Sequence, residues 1–276
     1  MDAGLIFRTF FAVPPMQTTG GIPANAVFGF LQTTLREVKR LQPTHLAVAM
    51  DVPIAENRRT SVFAEYKANR GECPPDLNPQ FDLLREGLSA LNIPWLTVPG
   101  FEADDLVGTL ATQAEAAEMD AYILTGDKDV LQLLSAKTAI RFTKKLHTPD
   151  LYDVPRFMLE FGLHPHRLPD MKGLAGDPSD NLPGIKGIGP KTALTLLQQY
   201  GDLETVLANA HEQKGKLKER LIEGAEIATL CKQLATIDRA VPDLPELSAL
   251  ALKLDREGGA AQLREWGMRG LLPALA

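Results

Sequence analysis

GFEADDLVGTLATQAEAAEMDAYILTGDKD, residues 100–129, decides the fold class. Apolar residues recur at helical spacing through 103–117, behind the acids Glu102, Asp104 and Asp105. Residues 120–125 then form a short strand-like run that ends at Gly126-Asp127-Lys128-Asp129. The same alternation precedes this stretch. Residues 24–41 carry Val27, Phe30, Leu31, Leu35, Val38 and Leu41 with a helical period, and Pro43 ends that helix. Residues 45–51, HLAVAMD, read as a buried strand finishing at Asp51. A helix over 77–91 and a short strand about 95–98 follow. Strands alternating with crossover-length helices predict an α/β fold built on a doubly wound, mostly parallel sheet. In such sheets functional groups gather beyond the carboxyl ends of the strands. Asp51, residues 102–105 and residues 127–129 all fall there.

From about residue 154 the pattern turns helical with glycine punctuation. The expected organisation is a core over 1–153, a helical subdomain over 154–240 and a helical tail over 241–276. There is no internal repeat and no low-complexity segment. Residues 52–75 fit neither core helix nor strand, and set Arg58, Arg59, Lys67 and Arg70 against Glu56, Glu65 and Glu72. A connection this long inside a compact domain is functional or mobile.

A length of 276 residues allows one large domain or two modest ones, and 45% hydrophobic with 23% charged residues excludes a disordered or collagen-like chain. No apolar run approaches 18 residues, so no membrane-spanning helix and no membrane partner are expected. The opening residues lack the basic region and cleavage site of a signal peptide. Two cysteines, Cys73 and Cys231, provide neither a disulfide framework nor a four-cysteine zinc site, and fit a reducing cytoplasm.

A net charge of −6 argues at first sight against a nucleic-acid partner. Eight of the acids are candidate metal ligands, however, and without them the chain is mildly basic. Residues 130–149 hold Lys137, Arg141, Lys144 and Lys145 and no acid. Local charge decides nucleic-acid contact, not the total.

Three acidic clusters stand out: Glu102, Asp104 and Asp105; Asp127 and Asp129; Asp177 and Asp180. Each taken singly reads first as a helix cap, because acids in a first turn complement the helix dipole. Together with Asp51 at one end of a sheet they would repel one another severely, and a pair of divalent cations resolves that repulsion. Oxygen-only ligands favour Mg²⁺ or Mn²⁺ over zinc. Two such ions suit hydrolysis of a phosphodiester. His164 and His166 lie in a turn and read as solvated; His45, His147 and His211 are isolated.

Residues 182–193, LPGIKGIGPKTA, place Gly184, Gly187 and Gly189 ahead of a helix that opens with Pro190 and Lys191. Glycine permits close backbone approach, and free amides at a helix start bind anions. The spacing resembles the helix–hairpin–helix phosphate clamp of DNA-binding proteins, with a tight structural turn as the alternative. A nucleotide-binding P-loop is not matched.

EYKANR (65–70), GFEADDLVGTLA (100–111), ILTGDKDVLQLL (123–134) and LAGDPSDNLPGIKGIGPKTA (174–193) together resemble the bacterial 5′→3′ exonuclease family, to which flap endonucleases are related. The resemblance runs from about residue 5 to 239, and with no polymerase region following, the chain is similar to the stand-alone form. It implies a resolvase-like nuclease core with a helical arch about 52–75 and a helix–hairpin–helix subdomain. It implies that Glu102, Asp104, Asp105, Asp127, Asp129, Asp177 and Asp180 hold two Mg²⁺ (or Mn²⁺) ions, with Asp51 beside them. Lys67 and Arg70 would act at the scissile phosphate. Arg8, Arg59, Tyr66, Lys67 and Arg70 would contact DNA, as would Gly184, Gly187, Gly189, Lys191 and Thr192 of the hairpin, with K⁺ among its carbonyls. The implied substrates are DNA with 5′ ends or 5′ flaps and RNA primer–DNA hybrids, for a monomer in a bacterial cytoplasm.

One departure bears on activity. The family opens with an apolar strand ending in Asp-Gly, then an aromatic-Arg-x-Phe-Phe segment. Phe7-Arg8-Thr9-Phe10-Phe11 matches the second part, which puts Met1 where the metal-binding Asp belongs and Asp2 one residue out of register. The expectation is a lost strand and a depleted site, either through a late start or fragment, or in a natural DNA-junction binder that cuts poorly. An RNA-cutting nuclease of the PIN type is the other alternative, against which the arch and the hairpin speak.

Overall fold

The computed structural model describes residues 1–143 and 149–275. Helices α1 (Leu5–Ala12) and α2 (Asn25–Leu41) lead into strand β1 (Val48–Ala49). The apolar stripe of α2 puts Phe30, Leu31 and Leu35 in the core, each contributing roughly 1.5–3 kcal/mol by leaving water. The helix stops as its sequence requires: Gln42 takes a left-handed C-cap conformation and Pro43 follows. Helix α3 (Arg58–Val62) and helix α4 (Asn78–Ala90) come before β2 (Trp95–Leu96), then α5 (Ala103–Ala116) and β3 (Ala121–Thr125), and β4 (Thr138–Phe142) and β5 (Asp150–Tyr152) complete the strands.

β1 pairs with β2 in parallel and β3 with β4 in parallel, while β5 adds antiparallel to β4. The two sheets meet through residues 1–3. Met1 donates through its terminal nitrogen to Ala47 O at 2.7 Å, and the Ala49 amide donates to Met1 O at 2.8 Å. The Asp2 amide donates to Leu124 O at 3.0 Å on the other side. The order is therefore β2, β1, residues 1–3, β3, β4, β5. The expectation of a wholly lost opening strand is corrected in part: its last residues stand in the ladder, because they have backbone partners on both sides.

One core layer joins α1, α2 and α4 to the sheet through Leu5, Ile6, Phe30, Leu84 and Leu88. On the opposite face α5 packs Leu106 and Val107 against Ile123, Ile140 and Phe142. Helices α6 (Val154–Phe161), α7 (Leu168–Ala175), α8 (Pro190–Tyr200), α9 (Leu203–Ala208), α10 (Lys216–Glu223) and α11 (Ala225–Ala235) form the helical part, with its own core of Leu174, Ile185, Leu196, Leu203 and Leu221. Helix α12 (Arg256–Glu265) returns to the first layer, where Trp266 sits so close to Gly87 that a side chain there would meet the indole. The last residues are thus part of the first core layer, where Leu263, Trp266, Met268 and Leu271 are buried.

Candidate metal centre and duplex contact

Each strand end delivers an acid. Asp51 follows β1, and its Oδ1 accepts from the Ala103 amide at 2.8 Å, which ties it to the start of α5. Asp127 follows β3, where its Oδ1 accepts from the Asp129 amide at 2.8 Å. Asp104 lies in the first turn of α5. Asp2 joins them from the central ladder position, its carboxylate held by the Gly4 amide and the Thr125 hydroxyl, both at 2.6 Å.

Three of these carboxylates, Asp2, Asp51 and Asp104, are raised above the ordinary aspartate value. Burial, with Asp51 and Asp127 adding, pushes Asp2 up to about 6 against the lowering pull of its hydrogen bonds. Burial and then Asp127, Asp2 and Asp51 drive Asp104 well above the aspartate range. Asp51 is raised by burial, against the Ala103 amide and with Glu102 adding.

A second group adjoins the first. Ligand oxygens of Asp129, Asp177 and Asp180 lie within 4.8 Å of one another. The Lys172 ammonium, from α7, bridges Asp129 and Asp177. Burial still raises Asp129 to about 7, with Lys172 opposing. Burial raises Asp177 too, but Lys172 and the Ser179 hydrogen bonds outweigh it and leave that carboxyl below its ordinary value.

The third group is Glu102 and its cations. Tyr66 donates to Glu102 at 2.9 Å, the Lys67 ammonium pairs with the same carboxylate, and Arg70 pairs with Asp180 at 3.0 Å. Burial pushes Glu102 up, yet Lys67 and Arg59 pull it below the ordinary glutamate value. Lys67 adopts φ 56°, a left-handed conformation that a non-glycine residue holds only at a cost, fixed here by the hydrogen bond its backbone N–H donates to Asp180 O at 3.0 Å.

Two expected site residues face elsewhere. Asp105 is fully buried, with both oxygens in a bidentate pair with Arg59 at 2.7 Å. It also accepts from the Asp238 amide at 2.8 Å and the Glu102 amide at 3.1 Å, so no lone pair remains for a metal. Arg59 is 6% exposed and donates further to Leu234 O and Thr236 O, so it braces the core and cannot reach DNA. The expected arch is likewise corrected. Residues 58–70 lie against the helical part, with Tyr66 buried beside Leu182, Cys231 and Leu234 and with Asn69 and Asn181 tying both sides at 2.7 Å. The apolar Phe63 and Tyr66 draw the segment down.

In the basic run, Arg141 is buried and paired with Glu37 at 3.0 Å, and Lys137 pairs with Glu118; neither is a free phosphate contact. Lys144, Lys145 and His147 fall outside the described residues. Arg8 donates to Gly126 O and, at 3.4 Å, to Thr143 O, beside the Asp127 loop.

The glycine hairpin joins α7 to α8. Gly184 has φ 59°, and a Cβ there would overlap the Gly176 backbone. The Ile185 amide donates to Leu174 O at 2.9 Å, locking the turn to α7. Gly187 and Gly189 are exposed, Gly189 is the N-cap of α8, Lys191 is exposed and Thr192 half-buried. Arg220 donates to Gly187 O at 3.0 Å. The exposed edge therefore presents backbone amides, a helix start and a lysine, which suit phosphate.

Sequence reasoning missed Asp2, Thr125 and Lys172. Asp2 is signalled only by its place between an apolar neighbour and Gly4. Lys172 carries no local signal, since nothing in its own helix shows which acids it meets.

The residues fit divalent cations: every donor is a carboxylate oxygen, the set is crowded and partly withdrawn from water, and two lysines already lean into it. Among the described residues, Asp129, Asp177 and Asp180 bring ligand oxygens close enough to share one ion, and Asp2, Asp51, Asp104 and Asp127 adjoin them. The sheet, acid cluster and hairpin define a resolvase-like α/β protein with a helical second part. Residues 2–162 match the 5′-3′ exonuclease N-terminal resolvase-like domain, and residues 163–257 the 5′-3′ exonuclease C-terminal SAM fold. DNA polymerase I of Bacillus caldotenax is 41% identical over 273 residues, covering 98% of this chain and 31% of the polymerase. The chain belongs to the 5′-3′ exonuclease family, and spans about a third of the length of such curated relatives. The fold is shared with the bacteriophage T5 flap endonuclease, solved with DNA and metal ions, at TM-score 0.64, 18% identity and coverage of 87% and 91%. It is shared also with flap endonuclease-1 from Methanococcus jannaschii, at TM-score 0.62, 16% identity and coverage of 98% and 88%. With Asp2 in the cluster, the reading of a binder with a depleted site loses its basis.

Proposed function

We propose that this chain is a divalent-metal-dependent, structure-selective 5′→3′ exonuclease and 5′-flap endonuclease of DNA, acting also on RNA primer–DNA hybrids in replication and repair. The observation that carries it is the meeting of seven carboxylates, Asp2, Asp51, Asp104, Asp127, Asp129, Asp177 and Asp180, beside an exposed glycine hairpin. Mg²⁺ or Mn²⁺ bound by these acids would polarise the scissile phosphate and activate water. Lys67 and Arg70 stand at Glu102 and Asp180, where they would turn to the phosphate and offset charge developing on its oxygens. Tyr66 holds Glu102 in place. Gly187, Gly189, Lys191 and Thr192 would grip the duplex backbone without reading sequence, with K⁺ at the hairpin carbonyls as a brace, while Gly184, expected as a contact, is buried against Gly176 and shapes the turn. The working unit is taken as a core over 1–153 and a helical part over 154–240, completed by 241–276. It is taken as a monomer in a bacterial cytoplasm; among the described residues no helix is long and apolar enough to cross a membrane.

The test is a 5′-labelled flap duplex incubated with the 276-residue chain in Mg²⁺ and in EDTA. Metal-dependent release of a short 5′ product is expected. Duplex binding without cleavage in Mg²⁺ or Mn²⁺ would sink the reading.

A further inference from the structure

The acid cluster and the glycine hairpin share a cavity of about 240 Å³. Lys128, Asp129 and Asp177 line it from the loops that carry the acids, and Pro190 lines it from the start of α8, directly after the hairpin. Much of the remaining wall is apolar. Leu168 and Met171 come from one face of α7, where residues three apart are neighbours, and Leu131 from the turn after β3. Phe161, the last residue of α6, completes that wall, its ring stacked on Phe157 with 4.4 Å between centroids.

The two lysines of this cavity differ. Lys172 is committed to Asp129 and Asp177, which it bridges. Lys128 is exposed, and although Asp127 and Asp129 flank it in sequence it pairs with neither; among the described residues no group bonds its ammonium. The cavity therefore offers an uncommitted cation and an apolar wall, next to the acids on one hand and the duplex contact on the other.

We propose that this cavity seats one sugar–phosphate step of the strand being cut, with the Lys128 ammonium on the phosphate and the carbon face of the sugar on Phe161, Leu168 and Met171. The inference rests on the nuclease reading above: a backbone engaged both at Asp129 and Asp177 and at the start of α8 has to cross the cavity they share. Size selects the sugar. At about 240 Å³ the cavity is smaller than the ~300–1,000 Å³ that encloses a drug-sized ligand, so a nucleotide enters by its sugar and leaves its base outside. A contact of this kind fixes the register of the backbone and carries no sequence information. Lys128 is thus a positioning residue that sets where the strand lies between the metal centre and the hairpin.

The test measures binding and Mg²⁺-dependent cleavage of 5′-flap duplexes in which one phosphate at a time, along the first duplex steps beyond the cut, is replaced by a neutral methylphosphonate. For the wild-type chain one such replacement weakens binding by roughly tenfold through loss of an ionic contact at Lys128. Lys128→Ala weakens binding of the unmodified duplex by a similar factor and lowers the slope of log K against log salt by about 1. It also becomes insensitive to that one replacement while responding to the others as the wild type does. Lys128→Arg keeps the wild-type map. A bulky 2′-O-substituent weakens wild-type binding on the sugar of that step and not on its neighbours. Lys128 is exposed and unpaired, so an unchanged urea midpoint checks that Lys128→Ala is folded. A map that Lys128→Ala leaves unaltered, or an equal loss at every position, overturns the proposal while wild-type cleavage keeps the nuclease reading. A wild-type chain that does not bind the duplex overturns both.

Discussion

Asp2 and Asp105 show how little a residue's type says about its task. Asp2 sits at the end of a ladder that aims its carboxylate at Asp51 and Asp127. Asp2→Ala and Asp127→Ala are each expected to cut single-turnover cleavage of a flap duplex by about 100-fold or more while binding persists, because metal-bound charge at a phosphate contributes several kcal/mol to the transition state. Asp105 instead closes a buried pair with Arg59. Asp105→Asn removes the bidentate partner of that guanidinium, leaving it Glu102 at 3.2 Å, and should lower unfolding stability in urea by about 3 kcal/mol. An Arg59→Met, Asp105→Leu double variant should recover most of the loss, which a metal ligand would not allow.

At the scale of elements, the turn between α7 and α8 carries the duplex contact and the segment 58–70 carries the cations. Gly184→Ala forces a Cβ into the Gly176 backbone at a positive φ, and should abolish duplex binding while the Asp129, Asp177 and Asp180 cluster still takes up Mn²⁺. Lys191→Ala removes one exposed charge at the start of α8. Its expected signature is weaker binding with the slope of log K against log salt reduced by about 1, and unchanged turnover of bound substrate. Helix α5 was readable from its apolar period, but the docking of 58–70 was not: Phe63 and Tyr66 gave no period, and their burial depends on Leu182 and Leu234 from far along the chain.

For the whole molecule, metal and protons compete for one acid cluster. Asp2, raised to about 6, and Asp129, raised to about 7, stay protonated in the folded state at pH values where the unfolded chain has already released those protons. Mg²⁺ must displace them. Added Mg²⁺ should therefore raise Tm more at pH 8 than at pH 5.5, read by thermal scans at matched ionic strength; an equal increment would contradict the assignment. The chain's last helices matter to the same core. Trp266→Ala empties the space above Gly87 and should cost about 3–5 kcal/mol in urea unfolding, although it lies outside both acid groups.

What the sequence determined by itself was the set of local rules: helix periods, strands that finish at acids, a glycine turn before Pro190, and the presence of more carboxylates at one end of a sheet than water alone would tolerate. These are legible because period, capping and turn chemistry act over a few residues. What only the tertiary structure decided was the partition of those acids. Asp105 against Arg59, Lys172 between Asp129 and Asp177, and Asp2 beside Asp51 and Asp127 are pairs made across long stretches of chain. Electrostatic energy depends on distance and on the water excluded around a charge, and both are set when the elements pack, not when the residues are written in order.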